Sequence, residues 1–286
     1  MSGTLYICAT PIGNLEDISL RVLKTLKEAD IIAAEDTRHT LKLLNRFEIK
    51  NELTSYHEHN KHIKGAKLTE LLKQGKNIAL VTDAGMPGIS DPGCDIISLC
   101  RAENIPVTVI PGATAFTSAL VLSGMDTSCF AFFGFLPTAN QKKIKTAEKI
   151  KNFPGTAILY EAPHHLAATL KFLAETIGNR KAAIVREITK IHEEVKFFNL
   201  SDAAAYYGEN AAKGEFVIVI EAGNAAEIPP QGTENESKLS ELSVTEHVAF
   251  YENKGNTKKD AMKLAAKDRG VSKSEIYGEI LKERNT

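Results

Sequence analysis

The chain has 286 residues, 43% hydrophobic and 25% charged, which is ordinary for a globular protein and leaves room for two α/β lobes and a small appendage. A formal net charge of -1 excludes a basic field over the whole molecule, so any hold on nucleic acid has to come from local patches. With no apolar run long enough for a membrane, no signal-peptide layout at the start and no metal or redox spacing among Cys8, Cys94, Cys100 and Cys129, the expectation is a cytoplasmic protein with free thiols and no metal.

In chain order, residues 5–9 read as a buried strand, followed by the loop Thr10-Pro11-Ile12-Gly13-Asn14. Leu20, Val22, Leu23 and Leu26 then form a helical stripe that ends near Ala29-Asp30. Residues 31–34 are a second short strand, closed by Glu35-Asp36-Thr37-Arg38. A helix over 41–47, a polar stretch around His57-Glu58-His59-Asn60 and a helix over 66–73 lead to a strand over 77–81. That strand opens into the loop richest in glycine and proline, residues 82–93. A helix to Ala102, a strand over 107–110, the loop Pro111-Gly112-Ala113-Thr114 and a helix to Ser123 complete a first lobe, residues 1–124. The second lobe, 125–222, has strands over 130–135, 156–160, 182–186 and 216–221, with helices over 144–151, 165–176 and 201–207. Residues 223–243 are polar and aperiodic around Pro229-Pro230 and read as a linker. Residues 244–286 form a helical tail, with two short amphipathic helices around Gly270-Val271 in a helix-turn-helix-like pattern.

Strands alternating with helices at this spacing imply βαβ units and a mostly parallel sheet, whose ligands sit beyond the carboxyl ends of the strands. The glycine- and proline-rich loops all fall at those ends. In the loop 82–93, few side chains stand between a ligand and the backbone N–H and C=O groups. It lacks the Gly-Lys-Ser/Thr ending of a phosphate loop, and no Gly-x-Gly-x-x-Gly follows the first strand. A neutral or cationic nucleoside therefore suits the loop better than a dinucleotide, with Asp83 near its cation or ribose.

Several of these segments carry a resemblance. Thr10-Pro11-Ile12-Gly13-Asn14-Leu15, Ala33-Ala34-Glu35-Asp36-Thr37-Arg38, Asp83-Ala84-Gly85, Ile89-Ser90-Asp91-Pro92-Gly93 and Phe133-Gly134-Phe135-Leu136-Pro137 occur in that order. Tyr160-Glu161, Arg186-Glu187-Ile188-Thr189-Lys190 and Lys213-Gly214-Glu215 follow. Over residues 4–222 the chain resembles the ribosomal RNA small-subunit methyltransferase I family, a branch of the tetrapyrrole methylase fold. It departs from the family pattern at Met86, Gly88, Ala113, Ala162 and His165.

The resemblance implies two α/β lobes, a mostly parallel N-terminal sheet and a mixed C-terminal one. It also implies S-adenosylmethionine in the cleft between the lobes, a homodimer, and 2'-O-methylation of a cytidine in the decoding region of small-subunit rRNA. By position, Pro11, Asp83, Ala84, Gly85, Pro87, Ile89, Ser90, Thr114, Ala115 and Tyr160 would line the cofactor pocket. A 2'-hydroxyl is a weak acid, and the acids at strand ends that qualify as its base are Glu35, Asp36, Glu161, Glu187 and Glu215. Arg38, Arg186 and Lys213 are candidates to hold phosphate or a developing alkoxide. Glu35, Asp36, Arg38 and Glu187 form the catalytic set, against bland alternatives: Asp36 as a helix cap, and Arg186-Glu187 as an ion pair. His57-Glu58-His59-Asn60 fits no common zinc spacing and reads as a solvated loop. Lysines 142, 143, 145, 149 and 151 and the tail lysines offer basic patches for RNA. The competing readings are a C-methyltransferase of tetrapyrrole rings, disfavoured by the first loop, and a non-catalytic nucleic-acid-binding module.

Overall fold

The computed structural model describes residues 2–223, 242–253, 256–269 and 271–283. The chain divides into two compact units, Met1–Gly223 and Asn224–Thr286. The linker expected over 223–243 lies, apart from its ends, outside the described residues.

In the first unit, strands β1 (Leu5–Cys8), β2 (Ile31–Ala34), β3 (Leu53–Ser55), β4 (Ile78–Val81) and β5 (Val107–Ile110) form one sheet in the order β3-β2-β4-β1-β5. All its pairings are parallel. Every residue of β2 and β4 is buried, as happens when helices cover both faces of a sheet. Side chains alternate between the faces. Leu5, Ile7, Ile78 and Leu80 pack with Leu68 and Leu72 of α3 (Lys61–Lys73) and with Ile96 and Cys100 of α4 (Cys94–Ala102). Cys8, Ile32, Ala79 and Val81 face Val22 and Leu26 of α1 (Leu20–Glu28) and Leu44 of α2 (Thr37–Arg46). Ser19 caps α1, accepting from Val22 N–H at 3.2 Å, and α5 (Ala115–Ser123) stops at Gly124, whose φ of +64° suits a residue without Cβ.

A second sheet holds β6 (Phe130–Phe135), β7 (Thr156–Glu161), β8 (Lys181–Arg186), β9 (Glu194–Asn199) and β10 (Phe216–Ile220), in the order β6-β7-β10-β8-β9. Only the β6–β7 pair is parallel, so the sheet is mixed, as the resemblance implied. Helices α6 (Asn140–Asn152), α7 (Leu166–Ile177) and α8 (Leu200–Glu209) cover one face. The other face meets Ala119 and Leu120 of α5 and Ile12 from the loop after β1, which joins the two sheets into one body. Sequence reading missed β3 and β9. Both are edge strands of half-exposed residues, β3 short and partly polar and β9 partly charged, so neither shows the apolar run that marked the central strands.

The second unit has three helices among its described residues: α9 (Val244–Asn253), α10 (Lys258–Asp268) and α11 (Lys273–Glu283). Two were expected. Val244 and Val248 of α9 pack with Ala261 and Ala265 of α10 and Ile276 and Ile280 of α11. Ser243 and Glu246 form a reciprocal capping box on α9, at 2.9 and 3.2 Å, and Ser272 with Glu275 repeats it on α11.

Candidate active site at the carboxyl ends of the first sheet

The loops after β1 and β4 are tied to each other before they reach any ligand. Thr10 and Gly85 exchange backbone hydrogen bonds of 2.9 and 3.1 Å, and Thr10 Oγ1 donates to the Thr82 carbonyl at 3.0 Å. Gly85 holds φ at +82°, and a Cβ there would stand 3.2 Å from Ile12 Cγ2. Glycine lets the loop turn and lie flat against its neighbour.

On one side of this bridge lies a cavity of about 430 Å³. Its wall combines Ala84, Gly85, Ile89 and Ser90 of the β4 loop, Thr114 and Ala115 at the start of α5, and Tyr160 at the end of β7. Tyr160 Oη accepts from Phe116 N–H at 3.2 Å, pinning the second sheet to the first turn of α5, and burial pushes the phenol up to about 12. Phe116 stacks on Phe132 at 4.7 Å, and Tyr160 meets Phe132 and Phe135 edge-on. The result is a mostly apolar chamber with few charges, among them Asp91, Lys190 and Glu215. Burial, and after it the charges of Glu35 and Asp83, push the Asp91 carboxyl up to about 6.

Next to the cavity stands a carboxylate cluster. Asp83 N–H donates to Glu35 Oε2 at 3.4 Å, and Asp83 Oδ1 accepts from Asp36 N–H at 3.2 Å. Burial first, and then the Asp83 charge, raise the Glu35 carboxyl above its ordinary value against the pull of that N–H. Asp36 is the reverse case. It accepts from Arg38 N–H at 2.8 Å and grips the Arg38 guanidinium at 2.6 and 3.1 Å, which holds its carboxyl well below the usual range. Asp36 is therefore both the cap of α2 and the partner of Arg38.

The sequence matches the tetrapyrrole (corrin/porphyrin) methylases over residues 4–204. A ribosomal RNA small subunit methyltransferase I of Halalkalibacterium halodurans is 47% identical over 275 residues, covering 96% of this chain and 93% of the relative. That of Bacillus subtilis is 46% identical over 275 residues, with the same coverage. The chain belongs to the ribosomal RNA small subunit methyltransferase I family. The enzyme of that name from Thermotoga maritima is 43% identical over 218 residues, 76% of this chain but 98% of the relative. Among solved structures, uroporphyrin-III C-methyltransferase of Thermus thermophilus complexed with S-adenyl homocysteine aligns with a TM-score of 0.54 at 17% identity, over 77% of this chain and 97% of that one. Diphthine synthase aligns with a TM-score of 0.59 at 17% identity, over 77% and 90%. At such identities the likeness is one of fold.

Within this methyltransferase family member, seven of the ten residues expected at the cofactor line the cavity: Ala84, Gly85, Ile89, Ser90, Thr114, Ala115 and Tyr160. Pro11 and Asp83 instead line a smaller hollow on the α2 side of the Thr10–Gly85 bridge, and Pro87 lines neither. Of the catalytic set, Glu35, Asp36 and Arg38 gather around Asp83, while Glu187 sits apart from them. Glu187 adopts φ of +49° and accepts from Lys190 Nζ and Glu215 N–H, both at 2.9 Å. Burial opposes its charge, but Lys190 and the Glu215 N–H outweigh burial and hold the carboxyl below its ordinary value. Its ion-pair partner is thus Lys190, and Arg186 Nε instead donates to the Lys213 carbonyl at 2.7 Å. Glu161 accepts from Thr169 Oγ1 at 2.6 Å and from Ala162 N–H at 2.8 Å, so both its oxygens are engaged in the fold. Asp91 and Lys190 reach the cavity without having been expected there, although both stand in the family's motifs. Spacing alone did not show that either turns inward. His57 and Asn60 hydrogen-bond each other ahead of α3.

Proposed function

We propose that this chain transfers a methyl group from S-adenosylmethionine to the ribose 2'-hydroxyl of a cytidine in the decoding region of small-subunit rRNA, acting in the cytoplasm as a homodimer. The carrying observation is the near full-length match to small-subunit methyltransferases at 47% and 46% identity, over a chain that keeps an intact cavity at the strand ends.

The cavity fits the cofactor. At about 430 Å³ it is within the usual size of a nucleoside-scale pocket, apolar with a few polar groups. Phe116, Phe135, Tyr160 and Ile188 offer surfaces for an adenine, Ser90 and the backbone flanking Gly85 offer hydrogen bonds, and Asp91 offers a carboxylate to a cation. A related fold has been solved with S-adenyl homocysteine, which supports the same class of ligand here. When bound, S-adenosylmethionine supplies an electrophilic methyl on a sulfonium. The protein's own work is alignment of the acceptor, worth several kcal/mol or more in favourable cases, and removal of one proton. Glu35 takes the 2'-hydroxyl proton, since its raised pKa brings it nearer to a working base. Arg38, held by Asp36, takes a phosphate of the acceptor strand. Glu187 holds Lys190 at the cavity wall. The tail and the exposed lysines of α6 supply local positive charge on a chain without a net basic field. Apolar side chains exposed on α5, Val121 and Leu122, beside Ile188, support pairing of two copies.

The test combines labelled S-adenosylmethionine with small-subunit particles from cells lacking this gene, followed by nuclease mapping. Label on a cytidine 2'-oxygen in the decoding region is the expected result, and Glu35→Gln should lower its rate roughly 10²–10⁴-fold. Cofactor binding with no label in RNA would direct the search to small-molecule acceptors.

A further inference from the structure

The hollow on the α2 side of the Thr10–Gly85 bridge has a volume of about 140 Å³. A cavity of roughly 150 Å³ accommodates one benzene ring, so this hollow is on the scale of a single six-membered ring. Pro11, Leu15 and Leu43 give it apolar walls, and Thr82 and Asp83 give it polar ones. Thr82 is only 2% exposed, and its Oγ1 is buried without a hydrogen-bond partner. Thr10, equally buried in the same wall, spends its own hydroxyl on the Thr82 carbonyl. A buried hydroxyl left unpaired is costly, and such atoms in folded proteins call for a partner. Along the neighbouring face of α2, Arg38, His39 and Lys42 line an open depression together with Asp36, whose charge is offset by Arg38, and His39 and Lys42 belong to both surfaces.

We propose that this hollow holds the base of the nucleotide that is methylated, with its phosphate on Arg38, His39 and Lys42. The inference rests on the proposed rRNA methyltransferase activity and names the base selectivity of that site. The Asp83 carboxylate only accepts hydrogen bonds, so it pairs with the exocyclic amine of cytosine and repels the carbonyl that uracil presents there. The Thr82 hydroxyl donates to the adjoining ring nitrogen, which carries a lone pair in cytosine and a hydrogen in uracil. Apolar walls take the two faces of a ring turned out of its stack, as enzymes acting on single nucleotides require. Glu35 receives the Asp83 N–H, so a ribose attached to a base seated here lies near the group assigned as proton acceptor. The large cavity is left to the methyl donor, and the Thr10–Gly85 bridge is the partition between the two ligands.

The test uses the full chain, small-subunit particles as acceptor, and cytidine and uridine 5'-monophosphates as inhibitors. Cytidine monophosphate should compete with the particles. Uridine monophosphate should be roughly tenfold weaker, since it forfeits one hydrogen bond and adds one repulsion. Thr82→Val, which removes the hydroxyl and keeps the volume, should raise KM for the particles about tenfold and narrow the gap between the nucleotides. Lys42→Ala, on an exposed position that cannot disturb folding, should raise KM and leave the cytidine preference intact. KM for S-adenosylmethionine should not move in either variant. Equal inhibition by the two nucleotides, with KM for particles unchanged in both variants, overturns the subsite while wild-type labelling keeps the methyltransferase reading. A wild type that labels no ribose overturns both.

Discussion

Asp91 shows how a single residue can trade stability for a site. Its carboxyl is held at about 6 in the fold against an ordinary 3.8, chiefly by burial. A pKa raised by folding means that the folded state binds the proton more readily. Its contribution is therefore fully favourable below about pH 4 and is lost as pH rises to 6. Above that window the charged carboxylate is a standing cost, shared with Glu35 and Asp83. Asp91→Asn should raise Tm at pH 8, by roughly 2–4 °C for each kcal/mol of strain relieved, and the gain should vanish in scans below about pH 4. If Asp91 faces the cofactor's cation, the same variant should bind S-adenosylmethionine more weakly, the usual conflict between stability and function. An unchanged Tm at pH 8 would remove the burial argument. Glu187 is a different case at the same scale. Its left-handed backbone and bonds to Lys190 and Glu215 describe a residue fixed as a brace. Gly214 must lack a side chain for this to work, because a Cβ would lie 2.5 Å from Glu187 Cγ.

Among the elements, α2 bears the largest share of the proposed acceptor site. Asp36 caps it, Arg38, His39 and Lys42 project from its first turns, and Leu43 and Leu44 bury its inner face. Two roles of Asp36 can be separated by substitution. Asp36→Ser keeps an oxygen for the Arg38 N–H and should hold Tm, whereas Asp36→Ala should lower it. Both lose the grip on the guanidinium, so both should slow transfer about tenfold, as the loss of a charge-assisted pair would. Transfer at the wild-type rate in Asp36→Ser would leave capping as the residue's whole role. The loop after β4 acts with the loop after β1 as one element. Their shared bridge means that a change at Gly85 should be felt at Thr10 and in the hollow beside it.

For the whole molecule, the division at Gly223 has a consequence for how labour is shared. Each unit has its own apolar core, and the Thermotoga maritima relative is matched over 98% of its length by only 218 residues. A chain ending at Gly223 should therefore keep the thermal transition and the S-adenosylmethionine affinity of the first unit. It should bind small-subunit particles more weakly, and its log affinity should fall less steeply with log salt, by about 0.7–0.9 for each phosphate that the tail no longer neutralises. Salt titrations of particle binding would show this, and an identical slope in both chains would deny the tail a part in RNA binding. On a chain with a net charge of -1, the affinity for RNA depends on where the lysines stand.

What the sequence alone determined was set by local patterns. Buried central strands are continuous apolar runs, and the loops that follow them are rich in glycine and proline. Parallel connectivity then places those loops at one edge of the sheet. The residues at positions 84, 85, 89, 90, 114, 115 and 160 were legible in this way together with the family's motifs, and all seven reach one cavity. The edge strands β3 and β9 escaped notice because half-exposed edges carry no such pattern. Only the tertiary structure decided on which side of a loop each side chain falls. The antiparallel bridge between Thr10 and Gly85 makes one wall with two faces, so Pro11 and Asp83 belong to one hollow while Ala84 and Gly85 belong to another. Adjacent positions in a chain can differ by half a turn of backbone, and a pairing made across 75 residues fixes which way that turn goes.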